Sequence, residues 1–553
     1  MAMNGTTTLT VATLCLASPA VCQQLELLWR VEGVGGLINR GRDVHRLGDY
    51  NGDGWDDLLE LGVSWDGQYV QNAVRFVSGQ DGSILSSANP IPQYWAIGNM
   101  APTGDMNQDG VPDYAAHVWH AIVPTPTPFV AVFSGATHGL LWAVTIPNGW
   151  SVNFGEVLAG EVDVNGDGRN DIVTSAINLS PHGTILVYDN SGIELYRIID
   201  PVPGLLSGLD VALLKGDLDG DGCGDFVVSA AEPLNRGAIL CFSGRTGALL
   251  RVSYGAQPGD KLVNAGACGD VDRDGVPDYC GGGSFGAGVV TAFSGATGQI
   301  IHSWRETGCC MGINVIGGYD LDQDGVPDLA AGTLNVAMNA YSGRDGTFLA
   351  RWPATVAVCS GESVAMIAPP PGEQYPVIVF SERCWASTAN PCATNAICPG
   401  VVYAYRGCPP GVRRYGLPDR SATNQPLARS GMRGLNVAST PTVRFTISEA
   451  PAGSAAVLLL GTSNTAIGGV ALPLGLDAFG YPGITLWTSA DASLLFLVGT
   501  TGMGAGYAEH NLALPTGHSL STTGTPFFAQ WLWLDLNQLA NHGSTAGQLF
   551  RIQ

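Results

Sequence analysis

Short apolar runs alternate with glycine-rich turns along most of the chain. Examples are DIVTSA from Asp171, GAILCFSG from Gly237 and ALLRVSYG from Ala248, which are rich in β-branched and aromatic residues. Such runs, bounded by Gly, Ser and Asp, predict strands joined by tight turns. No long charged amphipathic stretch stands out. The pattern therefore predicts an all-β protein.

A nine-residue pattern recurs six times, with starts 50 to 58 residues apart. The copies are DYNGDGWDD from Asp49, DMNQDGVPD from Asp105, DVNGDGRND from Asp163, DLDGDGCGD from Asp217, DVDRDGVPD from Asp270 and DLDQDGVPD from Asp320. An apolar stretch precedes each copy, and three further strand-like runs follow it. A sustained repeat of this size with four strands per unit predicts the blades of a β-propeller.

The strand inventory predicts seven blades. Third strands end near Val77, Phe133, Tyr188, Phe242, Phe293, Tyr341 and Tyr405. Fourth strands follow only the first six of these. LELLWRVEG, from Leu25, is similar to the fourth strand ALLRVSYG, so we expect the N-terminal strand to complete the last blade. Such closure would remove exposed sheet edges. The seventh blade, from Gly361, has no aspartates in its loop.

The aspartate loops predict calcium sites. Ca²⁺ takes six to eight oxygen ligands. In D-x-[DN]-x-D-G-x-x-D, positions 1, 3, 5 and 9 offer side-chain oxygens and position 7 a backbone carbonyl, while Gly at position 6 permits a sharp turn. The predicted ligands, for about six Ca²⁺, are Asp49, Asn51, Asp53, Trp55, Asp57, Asp105, Asn107, Asp109, Val111, Asp113, Asp163, Asn165, Asp167, Arg169, Asp171, Asp217, Asp219, Asp221, Cys223, Asp225, Asp270, Asp272, Asp274, Val276, Asp278, Asp320, Asp322, Asp324, Val326 and Asp328.

An EF-hand begins in a similar way, but it needs a Glu at position 12 and helices on both sides. Only the first loop has such a residue, Glu60. Apolar and β-branched runs follow most of the loops, so we interpret them as connections between strands.

The repeats resemble the FG-GAP (VCBS-type) repeats of integrin α-subunits and of many bacterial secreted proteins. Phe154-Gly155 and the AG–D–NGDG–D sequence from Ala159 to Asp171 carry the likeness, which extends over residues 25–408. The resemblance implies a seven-bladed propeller whose calcium loops join the first and second strands on a lower face. It also implies that ligands engage the upper face, as in cell adhesion. The other repeats lack a clean Phe-Gly pair.

Beyond Gly407 the period stops. We predict a propeller over residues 23–408, a linker over 409–426 and a β-sandwich over 427–553, similar to β-rich modules appended to bacterial exported proteins. Trp531 and Trp533 alternate within one strand-like run and therefore share a face. They either pack in a core or form a ligand platform.

Charge and the N-terminus indicate where the protein acts. The formal net charge of −22 argues against nucleic acid or an anionic membrane as partner.

An apolar run from Leu9 to Ala17 followed by small residues predicts a secretory signal over residues 1–22, hence a secreted or cell-surface protein. No later apolar run is long enough to span a membrane.

Eleven of the 13 cysteines lie between Cys223 and Cys408. In an exported protein this clustering predicts disulfides. Cys268 and Cys280 flank the fifth loop symmetrically, so they are expected to face each other in a hairpin and form a bond. Cys223 and Cys241 form a second candidate pair.

We expect a binding or adhesion module for an extracellular protein or glycan rather than an enzyme, because no catalytic motif is present. Trp95, Trp150 and Trp385 are the candidate ligand-binding residues, in loops expected on the upper face; the alternative is packing between blades. A calcium-bearing propeller of this kind could also be a polysaccharide lyase or a lectin. His117 and His120 should point to opposite faces of a strand and lie at the surface or rim.

Overall fold

A computed structural model of the protein describes residues 26–552 in several segments. Its description omits residues 33–38, 66–69, 93–94, 121–127, 146–153, 177–182, 215, 284–286, 310, 334–336, 354–359, 370–374, 383–400, 407–412, 416–428, 438–439, 449, 468–469, 477–484, 487, 500–506, 515–519, 537–541 and 546. The predicted signal peptide and most of the predicted linker lie outside the described residues, and both stay predictions. In the described part, no helix has the length and hydropathy of a membrane span.

Strand β1 (Glu26–Glu32) is followed by six four-stranded sheets, each paired in chain order. Sheet 1 contains β2 (Asn39–Gly48), β3 (Asp57–Trp65), β4 (Val70–Val77) and β5 (Ile84–Ala88). Sheet 2 contains β6 (Trp95–Gly104), β7 (Asp113–His120), β8 (Phe129–Phe133) and β9 (Leu140–Thr145). Sheet 3 contains β10 (Phe154–Val162), β11 (Asp171–Ala176), β12 (Thr184–Tyr188) and β13 (Glu194–Ile199).

Sheets 4 to 6 repeat the pattern. Sheet 4 contains β14 (Leu206–Leu213), β15 (Phe226–Ala231), β16 (Ala238–Phe242) and β17 (Leu249–Tyr254). Sheet 5 contains β18 (Leu262–Gly269), β19 (Asp278–Gly283), β20 (Ala287–Phe293) and β21 (Ile300–Cys309). Sheet 6 contains β22 (Met311–Tyr319), β23 (Asp328–Thr333), β24 (Ala337–Tyr341) and β25 (Phe348–Pro353).

Sheet 7 joins the two ends of this region. It contains β26 (Ser360–Ile367), β27 (Val377–Glu382), β28 (Val401–Arg406) and, as its outer strand, β1. Strand β1 pairs antiparallel with β28, from Glu26 opposite Arg406 to Glu32 opposite Val401. The prediction that the N-terminal strand completes the last sheet is confirmed.

The seven sheets form a ring. The first strand of each sheet contacts the first strand of the next, and β26 of sheet 7 contacts β2 of sheet 1. Buried clusters lie between neighbouring sheets, such as the one that joins Leu59 and Phe76 of sheet 1 to Ile97 and Tyr114 of sheet 2. Four-stranded sheets arranged radially around an axis form a β-propeller, so the all-β propeller prediction is confirmed at this level.

Tryptophans on three outer strands connect their sheets to the next sheet of the ring. Trp142 Nε1 of sheet 2 donates to Asn190 O of sheet 3 at 2.9 Å, and Trp304 Nε1 of sheet 5 donates to Gly346 O of sheet 6 at 2.7 Å. Trp29 in β1 repeats this contact, since its Nε1 donates to Gly79 O of sheet 1 at 2.9 Å. The N-terminal strand therefore makes the same contact as the fourth strands β9 and β21.

The remaining strands follow the ring. They are β29 (Arg413–Tyr415), β30 (Arg429–Val437), β31 (Thr440–Ser448), β32 (Ala455–Gly461), β33 (Ala466–Ile467), β34 (Val470–Ala471), β35 (Leu474–Gly475), β36 (Thr485–Leu486), β37 (Ala492–Leu497), β38 (Ala508–Ala513), β39 (Leu520–Leu534), β40 (His542–Ser544) and β41 (Gly547–Ile552). A six-stranded sheet has the order β29-β41-β39-β32-β37, with β40 on β39, and a three-stranded sheet has the order β30-β31-β38.

One buried cluster draws residues from both of these sheets. It includes Phe445 of β31, Leu458 of β32, and Trp531 and Trp533 of β39. The two tryptophans are buried on the same face, which agrees with core packing rather than with a ligand platform. The β-sandwich itself stays a prediction.

Replacing Trp29 by Ala should destabilise the ring strongly. The side chain is 8% exposed, and the mutation removes its packing and its bond to Gly79 O. We expect a loss of about 3–5 kcal/mol in the free energy of unfolding, measured by urea denaturation. Leu27→Ala on the same strand is the matched control, because Leu27 is 46% exposed, and it should change stability by less than about 0.5 kcal/mol. Equal effects of the two mutations would contradict closure through β1.

Candidate metal sites and central cavity

The six aspartate loops occupy the same place in sheets 1 to 6. In each sheet the loop follows the first strand, and its ninth residue begins or closely precedes the second strand. In sheet 2, for example, β6 ends at Gly104 and β7 begins at Asp113. All six loops therefore lie on one side of the ring, as the family resemblance implied.

The loops are shaped by their own aspartates. In sheet 2, Asp105 Oδ1 accepts a hydrogen bond from Asp109 N at 3.0 Å, and Asp105 Oδ2 accepts one from Gly110 N at 2.8 Å. The first aspartate of every loop makes the same contacts with the fifth and sixth residues. The carboxylate of the first aspartate therefore fixes the loop conformation, because it accepts hydrogen bonds from the backbone of the fifth and sixth residues.

Two loop positions have left-handed backbone. The glycine at position 6 has φ between 84° and 91°, as predicted. Position 4 is also left-handed, with φ of 62° at Gln108, 59° at Arg273 and 61° at Gln323. The conformation of position 4 was not predicted from the sequence, because only half of the copies have the glycine that usually marks it.

The ninth aspartate is buried and connects two turns of its own sheet. Asp113 Oδ2 accepts a hydrogen bond from Met106 N at 2.8 Å, and Asp113 Oδ1 accepts one from Gly135 N at 2.8 Å. Gly135 lies in the turn between the third and fourth strands. Equivalent pairs of bonds form at Asp57, Asp225, Asp278 and Asp328.

The glycine of that turn also packs against the aspartate loop. A Cβ on Gly79, Gly135 or Gly343 would lie 1.8 to 2.0 Å from the carbonyl oxygen of the loop's eighth residue. No other residue fits so close to backbone, which explains the recurrent Ser-Gly after the third strand.

Burial makes these ninth carboxyl groups hard to ionise. It raises the pKa of Asp57 and Asp225 to about 6, and that of Asp171 and Asp278 to about 7. Other aspartates of the same loop raise these pKa values further, while backbone hydrogen bonds lower them. A bound cation would favour the ionised form, because it supplies the opposite charge that the loop lacks.

Three loops bring carboxylate oxygens together closely enough for a metal ion. In sheets 4, 5 and 6, ligand atoms from positions 1, 3 and 9 lie within 4.8 Å of one another: Asp217, Asp219 and Asp225; Asp270, Asp272 and Asp278; Asp320, Asp322 and Asp328. In sheets 1 to 3, position 3 is an asparagine, whose amide oxygen is the corresponding donor. The donor set is oxygen only, which suits a hard cation such as Ca²⁺.

Comparisons with known proteins found a partial sequence match to an integrin α-subunit. No family model matches the chain. Over 157 residues the chain is 29% identical to integrin alpha-6 of Gallus gallus, a match that covers 25% of this chain and 14% of that protein.

Among solved structures, the chain is similar to BBS1N in its complex with ARL6DN, with a TM-score of 0.42, 12% identity and coverage of 70% of this chain and 98% of that one. It is also similar to Sqt1 of Saccharomyces cerevisiae, with a TM-score of 0.43, 13% identity and coverage of 69% and 99%. The sheet arrangement rather than these low scores supports the propeller.

The loop of sheet 6 differs from the others because the C-terminal three-stranded sheet covers it. Thr446 Oγ1 of β31 donates to Gln323 O at 3.0 Å, and Ser448 Oγ donates to the same oxygen at 3.4 Å. Gln323 and Asp324 are 0% and 1% exposed, whereas the equivalent positions of sheets 1 to 3 are exposed. The sequence carries no signal for this contact, since it joins segments far apart in the chain.

An arginine from the turn of sheet 6 links this loop to the C-terminal region. Arg344 Nη2 donates to Asp324 O at 2.8 Å, and Arg344 Nε lies 3.3 Å from Asp324 Oδ2. Its guanidinium also stacks 3.5 Å above the ring of Tyr507. Sheet 4 has the same arrangement without the cover: Arg245 Nη2 donates to Asp221 O at 3.1 Å.

A cavity of about 790 Å³ lies at the centre of the ring. The first strands line it with residues well before their ends, so it lies away from the aspartate loops that follow those ends. Each of these strands shifts register there. Each of the six sheets lines the cavity with a polar residue at an equivalent position, six or seven residues before its first loop aspartate. These residues are Asp43, Asn99, Glu156, Asp210, Asn264 and Asn314. This repeated polar position is the sequence signal that could have indicated the cavity.

His117 and Trp119 also line this cavity. The expectation that His117 lies at the surface or rim is wrong, because it is 4% exposed. Its imidazole lies beside Gly98 of β6, where a Cβ would come 2.4 Å from its Nδ1. Glycine at the register shift of β6 therefore makes room for the ring.

The three predicted ligand-binding tryptophans are only partly described. Trp95 is half-buried and packs edge-on against His120 and Phe129, with ring centroids 5.1 and 5.2 Å apart. Both rings belong to the same sheet as Trp95. Trp95 also packs against the buried cluster between sheets 1 and 2, which matches the alternative of packing between blades. Trp150 and Trp385 lie outside the described residues, and the ligand-binding role of all three stays a prediction.

Cys268 and Cys280 are adjacent but not bonded in this structure. They do not lie directly opposite each other as expected: Gly269 lies opposite Asp278, the register shifts between Ala267 and Gly269, and Gly266 lies opposite Cys280. Both thiols are nevertheless buried together. Burial is the main cause that raises the pKa of the Cys268 thiol, and the neighbouring Cys280 thiol is the second. Their disulfide stays a prediction.

The structure does not bring the second candidate pair, Cys223 and Cys241, together, and both thiols are free. Cys223 Sγ lies against Gly166 of the sheet 3 loop. Cys241 packs in the cluster shared with Tyr279 of sheet 5. The two thiols therefore face opposite neighbours of sheet 4.

Replacing Arg344 by Ala should destabilise the protein more than replacing Arg245. Arg344→Ala removes the partner of a buried carboxylate and the contact with Tyr507, so we expect a loss of about 3 kcal/mol and faster hydrogen exchange in β31. Arg245→Ala is the matched control, and it should cost about 0–1 kcal/mol because its ion pair is exposed. Calorimetry and hydrogen-exchange mass spectrometry measure both effects. Indistinguishable variants would contradict the role of Arg344 in connecting the sheet 6 loop to the C-terminal region.

Proposed function

We propose that this chain is a secreted, calcium-binding, seven-bladed β-propeller of the FG-GAP type, with a C-terminal β-sandwich, and that it binds an extracellular protein or glycan. The observation that carries the proposal is the repeated oxygen-only loop with a buried, hard-to-ionise aspartate. The partial similarity to an integrin α-subunit supports a binding role. Each of the six loops takes one Ca²⁺.

The chemistry of the loops favours Ca²⁺ over other common ions. Zn²⁺ prefers sulfur and nitrogen ligands, which the predicted side-chain ligands lack, and Mg²⁺ demands a compact octahedron and keeps several waters. Six Ca²⁺ ions would balance about half of the formal net charge of −22. Extracellular calcium modules have dissociation constants on the order of 10⁻⁴–10⁻³ M, which suits a secreted protein.

The loops serve a structural role in this proposal. They fix the end of each first strand and connect it, through the ninth aspartate, to the turn before the fourth strand. The side of the ring away from the loops is then free to engage a partner. Rigid scaffolds that present variable loops and clefts are a common basis for binding.

A calcium-dependent carbohydrate-active enzyme or a lectin is the second candidate. The observation that favours it is the central cavity, where burial raises the pKa of Asp210 to about 6 and lowers that of His117 to about 4. Perturbed groups in a cleft are typical of ligand and active sites. We propose binding without turnover, because no catalytic motif accompanies these groups.

A binding screen tests this function. The full chain, loaded with calcium, is presented with an array of glycans and extracellular matrix proteins, in parallel with chain treated with EDTA. We expect at least one saturable binder whose binding is lost in EDTA, because the loops hold the ring together. The absence of any binder in calcium, or the release of cleaved sugar chains, would contradict a binding module.

A further inference from the structure

The central cavity has the size and position of a ligand site. Its volume of about 790 Å³ lies within the range of roughly 300–1,000 Å³ that small-molecule sites occupy. The first strands of six sheets build its walls, and β7 adds His117 and Trp119. Among the described residues, none of the aspartate loops lines it.

His117 carries a buried polar ring without a partner. It is 4% exposed, and within the described part of the chain neither Nδ1 nor Nε2 makes a hydrogen bond. Burial lowers its pKa to about 4, so the imidazole is neutral at physiological pH and offers one donor and one acceptor. Buried polar groups nearly always have partners, and a ligand in the cavity would provide one.

Two asparagines add further pairs of donors and acceptors. Asn99 Nδ2 donates to Glu156 O, and Asn264 Nδ2 donates to Gly312 O at 2.7 Å. Among the described residues, each amide is left with its carbonyl oxygen and a second N–H. A hydroxyl group donates one hydrogen bond and accepts others, so it matches such mixed pairs.

The charged groups of the cavity do not favour an ion. Asp43 Oδ1 lies 2.8 Å from His45 Nε2, and Asp210 Oδ2 accepts a hydrogen bond from the backbone of Ala265 at 2.9 Å. Arg42 adds positive charge near these carboxylates. Glu156 is a third carboxylate of the lining. Both signs are present, and Asp43 and Asp210 already have partners, which argues against a phosphate or a polyamine as the ligand.

Trp119 supplies an apolar surface beside these polar groups. It lies two residues after His117 on β7, and both line the cavity because alternate residues of a strand share a face. Its side chain is 37% exposed, which is high for tryptophan. An aromatic face next to groups that bind hydroxyls can contact a ligand ring that carries C–H groups on one face and hydroxyls at its edge.

We propose that the central cavity binds a neutral sugar residue of a glycan, with His117 and Asn264 bonding its hydroxyls and Trp119 packing against its ring. This rests on the proposed binding function and specifies its ligand class and location. Ring hydroxyls satisfy the unpartnered imidazole, and the C–H face of the sugar covers the indole.

Calorimetry and saturation-transfer NMR on the calcium-loaded full chain test the proposal. The probes are glucose, galactose, mannose, fucose and N-acetylglucosamine with their short oligomers, and galacturonate, inorganic phosphate and spermidine as charged comparisons. We expect a neutral sugar to bind, His117→Phe to abolish binding, and Trp119→Ala to weaken it at least about tenfold. His120→Phe is the matched control on the opposite face of the same strand, and it should bind as the wild type does.

Several results would overturn this proposal. They are the absence of a neutral-sugar ligand, a preference for the charged probes, and unchanged affinity in Trp119→Ala, whose exposed ring can be removed without unfolding the protein. A partner from the binding screen that binds both variants normally would overturn the cavity site while leaving the proposed binding function intact. Melting temperatures of all variants in calcium confirm that they are folded.

Discussion

The buried aspartate at the ninth loop position is the interaction on which the ring depends. In sheet 2 one carboxylate oxygen of Asp113 binds the backbone of the aspartate loop, and the other binds the backbone of the turn before the fourth strand. The same carboxylate thus holds the inner and outer halves of a sheet in register. This arrangement buries a carboxyl group, and burial raises the pKa of the ninth aspartate in each of the six sheets. A bound cation would favour the ionised form of this acid, so the proposed calcium sites would stabilise the fold directly.

Closure of the ring depends on a second, apolar constraint. Trp29 of β1 contacts the turn of sheet 1 in the way that Trp142 and Trp304 contact the turns of their neighbours. The two ends of the propeller are therefore joined by the same contact that joins sheets 2 and 3 and sheets 5 and 6. The C-terminal region adds a further connection through Arg344, which contacts the loop of sheet 6 and the ring of Tyr507.

Features that repeat could be predicted from the sequence, and features that occur once could not. Six aspartate loops and seven third strands defined the sheets and their ends, because each copy supports the others. The burial of Gln323 under Thr446 depends on a single long-range contact, which leaves no local pattern. The surface position expected for His117 was wrong because strand alternation gives the face of a side chain and not its burial. All the predicted ligand positions stay predictions, although in sheets 4 to 6 the carboxylates of positions 1, 3 and 9 lie close enough together to hold a metal ion.

The melting temperature of the protein in calcium and in EDTA, at pH 8 and at pH 5, tests the central claim most directly. The folded pKa values of the ninth aspartates, about 6 to 7 in four sheets, exceed the unfolded value of about 3.9. Protons therefore stabilise the calcium-free fold at low pH, and this stabilisation is lost as the pH rises through 6 to 7. We predict that calcium raises the melting temperature strongly at pH 8 and much less at pH 5. An unchanged melting temperature in EDTA at pH 8, or an equal calcium effect at both pH values, would contradict the account.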